Sequence, residues 1–223
     1  MSFTLVSSTG RATGATGGIT NSISTIGAKI IVIHEVSSVG LSTVSDSMGN
    51  AWISIPAQNN ASASTIWFCL NPITSATHRF STGNAINQYS CIHVQSFGAA
   101  GAVSLDAQTG SIINASSITN GSITPSRVND LFVVGVSGQA SFVSTTINGG
   151  FIITNQEAGV AATNYGGAMA YLIGSGFTAQ NPTWNTTGSA SNASVMAAFK
   201  DGGAVLPALS RAAIRVGPWT TPK

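Results

Sequence analysis

Between residues 28 and 199 the chain is cut into short β-branched and aromatic runs separated by turn signals, and this spacing constrains the fold more than any other feature. The runs are Ala28–Val36, Ala51–Ile55, Ser64–Leu70, Tyr89–Phe97, Asp130–Gly138, Ser141–Ile147, Gly150–Thr154, Gly167–Gly174 and Asn192–Phe199. Each is too short and too rich in Ile, Val or aromatic residues for a comfortable helix, and suits a buried strand. Between them lie Asp46–Asn50, Asn71-Pro72, Gly83-Asn84, Asn120-Gly121, Asn148-Gly149-Gly150 and Asn181-Pro182, turn chemistry at hairpin spacing. No amphipathic helical stretch interrupts them, which excludes βαβ units and a parallel sheet. The expectation is an all-β fold, an antiparallel β-sandwich over residues 27–199 as one domain, with no internal repeat visible.

Composition then says how such a sandwich stays dissolved. Charged residues make up 6% of the 223, against about 25% in ordinary soluble domains. The 31 Ser, 24 Thr and 25 Gly leave a surface that is polar but nearly uncharged, suited to packing in an assembly. A net charge of +2 from dispersed basic residues is too weak for phosphate neutralisation, so nucleic acid is not an expected partner. No apolar run approaches the roughly 18 residues that a membrane-spanning helix needs, so no membrane partner is expected. The first residues lack a basic stretch followed by an apolar core, which predicts synthesis and folding in cytosol. Cys69 and Cys91 lie in runs read as strands, without CxxC spacing, and read as buried free thiols rather than a pair.

The flanks read differently. Residues 1–26 are rich in Gly, Ser and Thr without periodicity, which predicts a flexible N-terminal arm. Residues 200–223 hold Lys200, Arg211, Arg215 and Lys223 against Asp201, whereas residues 1–199 hold four basic and five acidic residues. The tail therefore carries the positive balance. Apolar residues and Trp219 sit among its cations, and it reads equally as a docking extension or as a last strand on the same domain. In the first case Arg211, Arg215, Trp219 and Lys223 are the candidate partner-binding residues.

Groups capable of catalysis are scarce. The carboxylates are Glu35, Asp46, Asp106, Asp130, Glu157 and Asp201, most in turn or strand-start positions where backbone capping is their usual work. Asp46 and Asn50 are expected to hold an Asx turn with Gly49 in the left-handed region, and they fall short of a calcium ligand set. Asn129-Asp130 is expected to cap the loop before Leu131. His34 and His93 lie in strands that could face one another, but Glu35 points to the opposite sheet face and no third metal ligand is apparent. No G-x-S-x-G elbow is present. The reading is a non-enzyme with no metal and no cofactor. Trp52, Trp67 and Trp184 are expected in the core.

Several strings taken together resemble a known module: VSDSMGNAWISI, IWFCLNPITSATHRF, CIHVQSFGA, GSITPSRVNDLFVVGVSG, GFIITNQ, AMAYLI and NPTWNTTGSASNASVMAAFK. In order, over residues 28–200, they are similar to a jelly-roll-type β-sandwich of tailed-phage structural proteins and of bacterial proteins of phage-like origin. The resemblance implies a jelly-roll fold and a virion role: a capsid decoration or cement protein that binds the major capsid protein and forms a homo-oligomer. Two alternatives stand beside it. One is a tail-fibre or receptor-binding head domain that contacts host glycan; the other is a bacterial carbohydrate-binding or hydrolytic protein.

Overall fold

The computed structural model describes residues 3–14, 18–37, 43–59, 62–83, 90–161, 163–174, 176–188 and 191–202. Among these residues every regular element is a strand. The first half of the chain holds β1 (Thr4–Gly14), β2 (Gly18–Ile19), β3 (Ile30–Ser37), β4 (Thr43–Asp46), β5 (Ile53–Ser54), β6 (Gln58–Asn59), β7 (Ala63–Leu70), β8 (Phe80–Gly83) and β9 (Ser90–Gly98). The second holds β10 (Val103–Ile113), β11 (Ser117–Thr119), β12 (Leu131–Gly138), β13 (Ser144–Ile147), β14 (Ile152–Glu157), β15 (Gly166–Ile173), β16 (Thr183–Thr187) and β17 (Asn192–Asp201). All pairings are antiparallel.

The strands form two large and two small sheets. One large sheet runs β1-β9-β3-β7-β5, with β6 also on β7, and its small companion runs β2-β8-β4. The other large sheet runs β10-β17-β12-β15-β14, and its companion runs β11-β16-β13. Replacing each strand of the first half by its counterpart in the second converts one order into the other, so the chain contains a structural repeat that its sequence does not announce. Register follows the repeat. Ile30 pairs with Leu70 and Phe97 where Leu131 pairs with Ile173 and Phe199, and the first strand of each half is bulged at the same place, beside Leu5 and Leu105.

Three apolar clusters arrange these sheets in four layers. Ile31, Ile33, Ile92 and Val94 pack against Phe80 of the first small sheet. The opposite face of the same large sheet, through Ile30, Val32, Phe68 and Phe97, packs against Leu131, Val133, Val195 and Phe199. The other side of that second sheet, through Phe132, Val134 and Met196, packs on Ile118 and Trp184 of the second small sheet. Both large sheets are thus covered on both faces. That is why β3 and β12 are buried at every position and do not alternate between apolar and polar residues, although His34 and Glu35 interrupt the apolar run of β3.

The two halves meet with approximate twofold symmetry. Phe68 and Phe199 form an edge-to-face pair at 5.2 Å, and their counterparts Tyr171 and Phe97 form another at 5.3 Å. His34 lies against Gly135, the residue at the same position of the other half, where an added Cβ would collide with the imidazole. Because equivalent residues of β3 and β12 face each other, the two strands run the same way and the pseudo-axis lies along them.

The structure departs from expectation at the N-terminus. The stretch read as a flexible arm carries β1, which pairs with β9 along its length, and Phe3 is buried in the central cluster. Its Ser, Thr and Gly side chains gave no periodic signal because an edge strand takes its stability from ladder bonds rather than from an apolar face. Strand β10 was missed for the same reason, since most of it is partly or fully exposed.

Candidate functional site

The structure brings the scarce titratable groups together in three places. The first lies between the large sheets. His34 on β3 and His93 on β9 are direct cross-strand partners, fully buried, with stacked rings and 3.2 Å between their Nδ1 atoms. His34 Nε2 lies 2.8 Å from Ser64 Oγ. This contact needs a proton on one Nδ1 and a lone pair on the other, so at least one of the two rings must be neutral. Burial, and for His34 also the neighbouring ring, pushes both below the ordinary histidine value, His93 to about 3. Further along, Ser62 and Ser137 share a contact of 3.0 Å across the halves. The interior is therefore aromatic at one end of the strands and polar at the other.

Expectation and structure agree that the two imidazoles meet and that Glu35 does not join them. Glu35 faces the other layer, where its Oε2 accepts from Trp67 Nε1 at 3.3 Å. Among the described residues no group of three His, Cys, Asp or Glu side chains converges to hold a metal. Both cysteines are free and buried, and burial raises each thiol.

The second place is the Asx turn after β4. Asp46 Oδ1 accepts from the backbone N–H of Met48 at 2.7 Å and of Asn50 at 3.3 Å, while Gly49 adopts φ +72 as the turn requires. Trp52 Nε1 donates to Asp46 Oδ2 at 3.0 Å, and His78 Nε2 lies 3.4 Å from Oδ1. On its other edge His78 Nδ1 contacts Thr25 Oγ1 at 2.9 Å. Burial opposes the Asp46 charge, but the Met48 and Asn50 donors, with His78, hold its carboxyl below the usual value. Hydroxyl, imidazole and carboxylate in a row resemble a nucleophilic relay, yet Thr25 and His78 are fully buried and no substrate carbonyl could reach the hydroxyl. The row ties three loops together.

The third lies at the end of the strands where Gly202 is the last described residue. Lys200 Nζ contacts Asp106 Oδ1 at 2.9 Å, and Ser126 donates to Asp106 through its backbone N–H at 2.8 Å and its hydroxyl at 2.5 Å. Burial works against that charge, but Lys200 and Ser126 hold the Asp106 carboxyl well below the carboxylate range. Asp130, buried beside it, is pushed up to about 6, by burial first and by Asp106 second. Asp106, the residue on the β10 bulge, also caps this loop through Ser126, beside the backbone N–H of Arg127 that faces Asp130. No sequence signal marked Asp106, because the bulge that aims it forms only when β10 pairs with β17.

The chain matches no family model, no curated protein and no solved structure. Arg211, Arg215, Trp219 and Lys223 lie outside the described residues. Of the three tryptophans expected in the core, Trp184 is fully buried, while Trp52 and Trp67 are partly buried against the first small sheet. None of the three polar clusters combines an accessible nucleophile with an accessible base. Their contacts lock strands, loops and the end of β17 in place.

Proposed function

We propose that the chain is a non-enzymatic structural protein of a phage virion, one that decorates or cements the shell by binding major capsid subunits. The observation that supports this reading is the strand order. In each half, taking its strands in sequence, the first, last, third and third-from-last strands lie side by side as β1-β9-β3-β7 and β10-β17-β12-β15, with β2-β8-β4 and β11-β16-β13 opposite. This order supports a jelly-roll reading, a fold used in viral capsids. We therefore read each half as one jelly roll and the chain as two fused back to back. Sparse charge and abundant hydroxyl side chains suit a protein whose outer faces pack against neighbours. Within this reading the protein acts in the virion after folding in host cytoplasm, and assembles with further copies of itself.

Quantitative mass spectrometry of purified particles tests it, as copies of this chain per major capsid subunit. A ratio near one, or a simple fraction of it, is expected. A handful of copies per particle would move the protein to a tail fibre, and none would overturn the virion role.

A further inference from the structure

Of the twelve large apolar side chains exposed among the described residues, six stand in equivalent places of the two halves. Ile53 pairs with Phe68 and is 54% exposed; Ile152, at the same position of the other half, pairs with Tyr171 and is 55% exposed. In the loops that follow β7 and β15 stand Ile73 at 58% and Phe177 at 61%. In the turns that precede β3 and β12 stand Ile26 at 63% and Val128 at 49%. Hydrogen bonds gather these segments within each half. Thr25 N donates to Ser75 O at 2.9 Å, and Asn50 exchanges two bonds with the backbone of Ile73, at 2.7 and 3.1 Å. In the second half Gly174 N donates to Asp130 O at 2.9 Å, and Gly149 lines one cavity with Gly174 and Gly176.

Since β3 and β12 run the same way, both sets lie at the same end of the four-layer stack. They form two apolar groups on that end face, related by the approximate twofold axis. Water-facing Ile, Val and Phe repeated in equivalent places of the two halves mark an interaction surface.

Charge selects among occupants. Lys29 and Arg127 are exposed in the two turns of this face. The carboxylates at this end point inward: Asp46 to its own turn and Trp52, Asp106 to Lys200 and Ser126, Asp130 into the interior, and Asp201 to the N–H groups of Ala100 and Gly101. A second copy of the same face would bring like charges together, so the face is a poor partner for itself.

We propose that this end docks on an apolar protein surface rimmed by carboxylates and that, through its two halves, it engages two equivalent sites at once, as at a junction between neighbouring subunits of a shell. The proposal rests on the virion reading above and names the surface that reading requires. Bivalent engagement explains why one chain carries the same apolar triplet twice, since the second contact is made at high effective concentration.

The test is sedimentation of the full-length chain with shells of the source phage stripped of it, for wild type and for Ile73→Ser, Phe177→Ser and the pair Lys29→Glu with Arg127→Glu. All four positions are exposed, and near-UV circular dichroism verifies that the variants fold. Each variant is expected to weaken shell binding by about tenfold or more, and Ile73→Ser with Phe177→Ser to abolish it. Wild-type binding with unchanged variants overturns the docking face and leaves the virion reading standing; absence of wild-type binding overturns both. Two further outcomes overturn the choice of occupant. One is binding of wild type, but not Phe177→Ser, to phosphatidylcholine vesicles containing a quarter phosphatidylserine, with shell binding unaffected. The other is a dimer in analytical ultracentrifugation that the same variants dissociate.

Discussion

His34 and His93 show how a polar pair can define the inside of a sandwich. The native protein excludes their protons, whereas the unfolded chain binds them below pH 6.5, near the ordinary histidine value. Stability therefore stands at its full value above pH 6.5 and falls as pH drops toward 3, by up to about 1.4 kcal/mol per pH unit for each histidine. Urea midpoints measured from pH 7.5 to 4 are expected to show this decline, and His93→Gln to flatten it. Asp130 has the opposite sign. Its raised value means that the folded state holds a proton more tightly than the unfolded, so its contribution fades as pH rises through about 6. Asp130→Asn is expected to raise the melting temperature at pH 8 and leave it unchanged below pH 3.8, where the carboxyl is protonated in both states; equal effects at both would show that the charge is not the cause. At Gly135 no side chain fits, because His34 occupies the space. Gly135→Ala is expected to cost about 1–3 kcal/mol in denaturant titration.

Among the elements, β1 separates lead-in from fold. It supplies the ladder partner of β9 and, through Phe3, a buried ring of the central cluster. Without it β9 becomes an unpaired edge, which is also a template for aggregation. A chain lacking residues 1–14 is expected to lose hydrogen-exchange protection along Ser90–Gly98 and to unfold at lower urea than wild type. An unchanged midpoint would mean that the pairing carries no stability.

The whole molecule behaves as one cooperative unit if the central cluster, built by both halves, outweighs the cores inside each half. A single calorimetric transition is expected, with calorimetric and van't Hoff enthalpies equal. Phe97→Ala and Phe199→Ala occupy equivalent, fully buried positions. Each is expected to cost about 3–5 kcal/mol and to shift that one transition by a similar amount. Two resolved transitions, with each substitution moving a different one, would show that the halves unfold separately.

The linear chain by itself determined the strand class, most of the inner strands, the Asx turn at Asp46, and the separation of Glu35 from His34. All of these follow from local chemistry: β-branched runs, turn residues and the two-residue period of a strand. Tertiary structure decided the rest. Strands β1 and β10 exist because β9 and β17 offer them open edges. Asp106 reaches Lys200 because a bulge turns it there. The repeat was hidden because sandwich halves need matching burial and register rather than matching residues, so His34 in one half could become Gly135 in the other. The same difference lets the two halves close on each other, for the imidazole of one half fills the space that the glycine of the other leaves empty.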